Sequence, residues 1–335
     1  WQGDEENFAK HGFLCGKRQI GGNGKAIELY VGDGDARAVS VIQQGGKFEA
    51  WRDAIAVLDE WPMVRVGIYA SLAAPLIAIL EAPNCIVEWC GDTTGGKTVT
   101  LQAAQSCWQN GGARPPTWAT SVAGIEARAQ VLNDMPFIID DTAEVMESKR
   151  KDLLTSAVYM LESGHTRTRA TKDMTERPSK TWRTIVMSTG EYMLAEYAGT
   201  GGAAARVLTF WGPPLGDSSE ATNATIRKMI SALRKNYGHA GPMIVKWLTD
   251  NRDQWDVLRD DYARYIAAVC RSVTSPAAMR LAPAIALLQV SAKLAHLVLE
   301  LPWTKQSMID DPVILAALER AVQYATMAAN KPRQA

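Results

Sequence analysis

The 335-residue chain is poor in cysteine and carries no excess of either charge. Its five cysteines are odd in number and lack paired C-x-x-C spacing, which predicts reduced, buried thiols in a cytoplasmic protein and argues against a cysteine metal site. Lysine plus arginine and aspartate plus glutamate each total 36, so the formal net charge is zero. Because no global field then attracts nucleic acid or an acidic membrane, any such contact must come from a local patch.

Long uninterrupted apolar runs are also missing. Residues 64–80 contain Arg65 and Pro75, and residues 277–301 contain Arg280 among other polar residues. A membrane-spanning helix needs about 20 apolar residues in succession, so both stretches predict buried helices, and no membrane partner is expected. The chain opens on a tryptophan, without a methionine or a signal-like region, which predicts a fragment of a longer protein.

The most informative stretch that is present is a glycine-rich loop. Residues 91–98 read G-D-T-T-G-G-K-T and fit the phosphate-binding pattern G-x-x-x-x-G-K-[ST] at every fixed position. Residues 85–90 predict a buried strand before the loop, and residues 99–109 predict a helix after it. That order turns backbone N–H groups and a helix N-terminus toward one point, where the phosphates of ATP would bind. The residues expected to bind the nucleotide are Gly91, Thr94, Gly95, Gly96, Lys97 and Thr98.

Two carboxylates complete the predicted magnesium and water sites. Residues 135–141, M-P-F-I-I-D-D, predict an apolar strand that ends at Asp140 and Asp141. We expect Asp140 and the Thr98 hydroxyl to bind Mg²⁺. Lys97 would contact the β- and γ-phosphates, and Asp141 would orient the attacking water. The alternative is that the aspartate pair only caps the following helix.

Two further candidates lie at strand ends. Ser188 and Thr189 end a predicted strand, and a hydroxyl there would touch the γ-phosphate unless the pair serves only turn chemistry. Arg206 follows a glycine-rich loop at residues 199–202 and begins another strand. It is either an arginine finger or a surface salt-bridge residue, and the pattern does not separate a finger acting in trans from a sensor acting in cis.

A local basic segment stands out against the neutral background. Residues 165–183 hold six basic and two acidic side chains, and their length suits a protruding hairpin. Arg167, Arg169 and Lys172 are expected to contact a DNA backbone. A solvated charged loop is an equal alternative.

Helices and strands alternate through the middle third of the chain, which predicts a parallel sheet between helices. One strand–helix unit lies between the phosphate loop and the Asp140 strand, so the layout is that of the additional-strand P-loop ATPases. The predicted parts are a β-rich N-terminal part at residues 1–48, an ATPase core at 49–215 and a helical C-terminal part at 216–335.

Several stretches carry a family resemblance. They are residues 48–52, 73–76, 91–98, 137–141, 158–164, 182–191 and 237–242. On these residues the chain resembles the domain of unknown function 927 group, which is found in mobile-element and phage proteins and includes MCM-like helicases of cassette chromosomes. The S-T-G-E strand end at residues 188–191 and the Y-G-H-A-G stretch at 237–241 are more particular to this group than the phosphate loop.

The resemblance implies an AAA+-type core in a hexameric ring that hydrolyses ATP and moves on DNA. It also implies an ATP site between subunits, with an arginine from the neighbour, and Arg206 matches the position of that arginine. Residues 165–183 match a hairpin that faces the pore. Where the family usually has Asp-Glu at the end of this strand, the chain has Asp140-Asp141. The shorter side chain would slow hydrolysis, unless Glu144 serves instead.

Two functions remain open at this point. The leading hypothesis is an ATP-hydrolysing oligomeric DNA motor, a replicative helicase module of a mobile genetic element or phage. The alternative is an ATP-dependent switch or scaffold without unwinding activity, which the neutral charge and the Asp141 departure favour slightly.

Overall fold

A four-stranded parallel sheet forms the centre of the protein in a computed structural model. The structure describes Trp1, Phe8 and Met308 and residues 12–22, 40–92, 95–166, 180–198, 201–217, 219–304 and 311–329. The strands of this part are β1 (Phe13–Cys15), β2 (Arg18–Ile20), β3 (Cys85–Cys90), β4 (Phe137–Ile139), β5 (Ile185–Gly190) and β6 (Val207–Trp211).

Helices surround the sheet and make up the C-terminal part of the described chain. Those up to β6 are α1 (Phe48–Ile55), α2 (Pro62–Ala73), α3 (Leu76–Leu80), α4 (Lys97–Gln105), α5 (Val122–Val131), α6 (Glu147–Ser163), α7 (Leu194–Ala198) and α8 (Gly201–Ala204). Those after β6 are α9 (Glu220–Leu233), α10 (Ala240–Asp250), α11 (Trp255–Ser272), α12 (Pro276–Met279), α13 (Ala282–Leu299) and α14 (Pro312–Ala329). Short 3₁₀ helices lie at Ala56–Glu60, Thr142–Glu144 and Arg252–Gln254.

The strand order in the sheet is β4-β5-β3-β6. All three pairings are parallel, with Val87 of β3 opposite Met187 of β5 and Leu208 of β6, and with Ile138 of β4 opposite Met187. The strand β5 therefore separates the phosphate-loop strand β3 from the Asp140 strand, and the predicted parallel layout is confirmed. Because the strands are parallel, the residues that follow them meet at one edge of the sheet, which we call the carboxyl edge.

A single parallel bridge continues the sheet beyond β4. Thr117 pairs with Asp140, the Asp140 N–H donates to the Pro116 carbonyl at 2.7 Å, and the Trp118 N–H donates to the Asp140 carbonyl at 3.1 Å. These bonds fix the backbone of Asp140 from the outer side of the sheet.

Both faces of the sheet are covered, as a parallel sheet requires. On one face Val87 and Trp89 belong to a core that includes Leu101 of α4 and extends into the C-terminal helices. On the other face Ile86 belongs to a second core with Leu154 of α6. The predicted strand at residues 85–90 is buried along its whole length, which explains its run of apolar residues.

The hairpin of β1 and β2 belongs to the first of these cores. The two strands are antiparallel, with Phe13 opposite Ile20, and both side chains pack in the same cluster as Ile244 of α10. Residues 23–39 of the predicted β-rich N-terminal part lie outside the described residues. The division of the chain into three parts stays a prediction.

The two apolar stretches form buried helices, as predicted. Residues 64–80 lie in α2 and α3. In the described part of the chain one helical stretch, Pro276–Leu299, is long and apolar enough to cross a membrane by length and composition, and 72% of that window is buried inside the structure. Such burial is typical of a core helix.

Candidate functional site

The glycine-rich loop predicted to bind phosphate follows β3 at the carboxyl edge, and its glycines are required there by geometry. Gly91 and Gly96 have φ angles of +137° and +90°, which disfavour any other residue. A Cβ atom on Gly95 would lie 2.8 Å from the Cβ of Pro213, and one on Gly96 would overlap the Leu215 side chain. The loop is thus pressed against the segment after β6 and keeps a bare backbone that a phosphate can approach.

Lys97 opens helix α4 directly after this loop. Its Nζ donates to the carbonyl oxygens of Gly91 at 2.5 Å and of Asp92 at 2.7 Å. Among the described residues no carboxylate pairs with it. An ammonium held over the loop only by neutral carbonyls is suited to bind an anion that enters the loop.

Two elements, α4 and the end of β5, contact the carboxylate of Asp140, which is only 4% exposed. The hydroxyl of Thr98, on α4, donates to Oδ2 at 3.1 Å. The hydroxyl of Thr189, at the end of β5, donates to Oδ1 and in turn accepts the Asp141 N–H at 3.0 Å. The predicted magnesium ligands Thr98 and Asp140 are therefore adjacent.

The donor set at this point fits Mg²⁺ and a bound nucleotide. A carboxylate and a hydroxyl are hard oxygen ligands, and Mg²⁺ is usually held by one or two protein oxygens together with phosphate oxygens and water. The described residues contain no group of three or more His, Cys, Asp or Glu side chains that would form an all-protein metal cage. Thr98 and Asp140 would hold the ion, next to a loop whose glycines leave room for phosphates.

Asp141 forms a helix cap, which was one of the two roles that the sequence left open. Its φ angle is +49°, and its Oδ1 accepts the Ala143 N–H at 2.9 Å, so it caps the 3₁₀ helix Thr142–Glu144. Its backbone nevertheless adjoins Asp140 and bonds to Thr189. The other acid considered for this role, Glu144, is paired with Arg114.

Ser188 and Thr189 lie on opposite faces of the sheet. The Ser188 hydroxyl is fully buried and accepts the indole N–H of Trp118 at 2.9 Å, away from Asp140. Thr189 is the member of the pair that the structure brings to the predicted site. The sequence offered both hydroxyls without a means of choosing between them.

Arg206 is not brought together with the other predicted site residues within one chain. It precedes β6, whose first residue Val207 is opposite Ile86, near the start of β3. The phosphate loop follows the other end of β3, about 17 Å further along the strand. The Arg206 Nε donates to Glu162 at 3.0 Å, and the guanidinium lies 4.9 Å from the ring centroid of Tyr159.

Four predicted residues lie outside the described part of the chain, namely Thr94, Arg167, Arg169 and Lys172. The described residues at the two ends of the basic segment pair in antiparallel fashion, since the Thr166 N–H donates to the Lys180 carbonyl at 2.9 Å. Arg183, at the end of the segment, binds Asp134 through Nε at 2.7 Å and through Nη2 at 2.9 Å. The positive charge of Arg183 is therefore paired with Asp134 within the chain.

One acid close to this site was missed by the sequence reasoning. Glu88 is fully buried in the middle of β3, where its carboxyl group accepts the Thr209 hydroxyl at 2.6 Å and the Leu194 N–H at 3.0 Å. Burial raises the pKa of Glu88 to about 7. The signal was present in the sequence as a lone acid in the otherwise apolar strand C-I-V-E-W-C.

The family of the chain follows from its sequence. The family model described as Domain of unknown function (DUF927) matches residues 7–181, just over half of the 335 residues, and the chain belongs to this family. No curated protein matches the chain in sequence.

A solved structure with a similar fold is named "SCCmec type IV Cch - active helicase". The superposition has a TM-score of 0.62 at 20% sequence identity, and it covers 85% of this chain and 52% of that chain. At this identity the likeness concerns the fold alone, and the chain spans about half the length of that helicase.

The buried acid Glu88 makes stability depend on pH. The pKa of Glu88 is about 7 in the folded protein and 4.5 in its ordinary state, so the folded state binds the extra proton between these values. Its stability should therefore fall as pH rises from about 4.5 through about 7. Glu88→Gln stays neutral and keeps an acceptor for Leu194, so its gain in melting temperature over wild type should be larger at pH 8 than at pH 5.

Thermal unfolding at both pH values measures this effect. The matched control is Glu319→Gln, because Glu319 is an exposed acid on α14. Equal shifts at the two pH values for Glu88→Gln would show that this side chain does not titrate in the predicted window.

Proposed function

We propose that the chain is the ATP-hydrolysing core of an oligomeric DNA motor, an AAA+-type P-loop ATPase that serves as a replicative helicase module of a mobile genetic element or phage. The observation that carries this proposal is the convergence of Lys97, Thr98, Asp140 and Thr189 at the carboxyl edge. The order β4-β5-β3-β6 supports an additional-strand ATPase. The similar fold of a protein named an active helicase supports a motor.

In this proposal each residue of the convergence has one task. Backbone N–H groups of the loop bind the phosphates, and the Lys97 ammonium exchanges the carbonyls of Gly91 and Asp92 for phosphate oxygens. Thr98 and Asp140 would hold Mg²⁺, which would supply positive charge to the transferring phosphoryl group when bound. Thr189 fixes the Asp140 carboxylate through its hydroxyl.

Asp141 is the proposed acceptor that orients the attacking water. Its Oδ1 is committed to the Ala143 N–H, while its Oδ2 has no hydrogen-bond partner within the described residues. That second oxygen accepts a proton from water. The cap holds the carboxylate in one rotamer, and the short side chain limits its reach, so a low intrinsic rate is expected.

The position of Arg206 supports a ring. We call the opposite edge of the sheet, where the parallel strands begin, the amino edge. An arginine at the amino edge cannot reach a phosphate bound at the carboxyl edge of the same chain. A head-to-tail arrangement brings the amino edge of one copy to the carboxyl edge of the next, and such an interface closes into a ring. We propose a hexamer in which Arg206 acts in trans as the arginine finger.

The first test is the substitution Lys97→Ala. It should abolish ATP hydrolysis, because the charge that holds the β- and γ-phosphates is lost. Phosphate release measures the rate, and calorimetry with ATP and Mg²⁺ measures binding. Lys228→Ala, at an exposed lysine of α9, is the control and should hydrolyse ATP as the wild type does. Wild-type turnover of the Lys97→Ala protein would show that the nucleotide does not bind at this loop.

The second test concerns Arg206. Arg206→Ala should lower turnover by about 10³-fold or more while ATP binding is retained, because a finger acts mainly on the transition state. Mixing Arg206→Ala with Lys97→Ala should restore about a quarter of the wild-type rate, since only sites with an intact loop and an intact neighbouring arginine are active. A mixture as inactive as its two components would contradict action in trans.

The third test separates the motor from the alternative, an ATP-dependent switch or scaffold without unwinding activity. That alternative is favoured by one observation, the use of Asp141 as a helix cap. Single- or double-stranded DNA should stimulate hydrolysis by a motor. Neutralising Arg167, Arg169 and Lys172 together should weaken the apparent DNA affinity by about tenfold or more and lower the salt slope by about three.

The DNA experiment has a matched control. Neutralising the exposed residues Lys228, Arg271 and Arg280 removes the same charge from the helical C-terminal part. A motor loses stimulation in the first triple variant only. Hydrolysis that does not respond to any DNA would favour the switch or scaffold.

A further inference from the structure

We propose that Glu162 and Tyr159 are positioning residues for Arg206, and that they form with it the surface that one copy presents to the ATP site of the next. The proposal rests on the proposed function. The carboxylate of Glu162 binds Nε of Arg206 at 3.0 Å, and the ring of Tyr159 lies 4.9 Å from the guanidinium carbon. Glu162 and Tyr159 are three positions apart on α6 and therefore lie on one face of the helix.

The helix that carries both residues is a firm support. Leu154, Val158 and Leu161 of α6 are fully buried in the second core. The helix ends at Gly164, whose φ angle is +71° and whose N–H donates to the Met160 carbonyl at 3.3 Å. This left-handed end is typical of a glycine-terminated helix, and it fixes the last turn from which Glu162 reaches Arg206.

The same helix also contacts the turn that carries Asp141. At its N-terminal end Arg150 donates to the carbonyl oxygens of Ala143 and Val145, both at 2.8 Å. Twelve residues separate Arg150 from Glu162, which is about 18 Å of helix. One rigid helix therefore sets the position of the water-orienting acid of its own site and of the arginine that serves the next site.

The ion pair of Arg206 and Glu162 is partly open to solvent, so a second copy of the chain can reach it. The side chains of Arg206 and Glu162 are 26% and 31% exposed. A carboxylate on one edge of a planar guanidinium and an aromatic ring below its face select one orientation of the arginine.

The direct test is Glu162→Gln, which preserves the shape of the side chain and removes its charge. Turnover at saturating ATP should fall about tenfold, with the KM for ATP changed by less than about twofold, because a charge-assisted bond that orients the finger is weakened. Tyr159→Leu should reduce turnover by a smaller factor. The control is Glu220→Gln, since Glu220 forms an exposed ion pair with Arg227 on α9.

Mixed assemblies show through which subunit Glu162 acts. The reference is the mixture of Arg206→Ala with Lys97→Ala subunits, in which every active site takes its arginine from a Lys97→Ala subunit. Adding Glu162→Gln to the Lys97→Ala subunits should lower the rate about tenfold relative to that reference. Adding Glu162→Gln to the Arg206→Ala subunits should leave the rate unchanged from that of the reference mixture.

Equal losses in the two mixtures would overturn the proposal, because they indicate a general structural effect, and so would no loss in either. If the reference mixture itself is inactive while the wild type hydrolyses ATP, the trans role of Arg206 fails and the role of Glu162 fails with it. If the wild type neither binds nor hydrolyses ATP, the failure belongs to the proposed function.

Discussion

The buried carboxylate of Asp140 connects the elements that form the candidate site. Its side chain accepts hydroxyl groups from the first turn of α4 and from the end of β5, and its backbone bonds to the segment beyond β4. A buried carboxylate with only neutral partners is stabilised by a nearby cation. The contacts that hold Asp140 in position therefore also make it suitable as a magnesium ligand. They depend on β5 lying between β3 and β4.

The parts of this arrangement that could be predicted from sequence are the local ones. The glycine-rich loop is a contiguous motif, and the strand predicted before it, residues 85–90, is present with those bounds. The choice between Ser188 and Thr189 is different in kind. The strand I-V-M-S-T-G is buried on both faces, so it has no alternation of apolar and polar residues to indicate which hydroxyl faces α4.

Contacts between distant parts of the chain were beyond sequence reasoning. The partner of Arg206 lies 44 positions earlier, at a helix end, and the partners of Glu88 lie more than 100 positions later. Nothing in the local pattern around Arg206 distinguishes a paired surface arginine from a finger. The basic residues 167, 169 and 172 and Thr94 lie outside the described residues, and their roles stay predictions.

The two ends of the sheet make the subunit asymmetric in a way that bears on the proposed mechanism. The candidate nucleotide site is at the carboxyl edge, while Arg206 and its contacts Glu162 and Tyr159 are at the opposite edge, where the strands begin, about 17 Å of strand away. On the proposed function a single copy therefore holds two incomplete half-sites, and hydrolysis depends on assembly. On the same proposal, α6 contacts both half-sites, through Arg150 at the Asp141 turn and through Glu162 at Arg206, so one helix connects them.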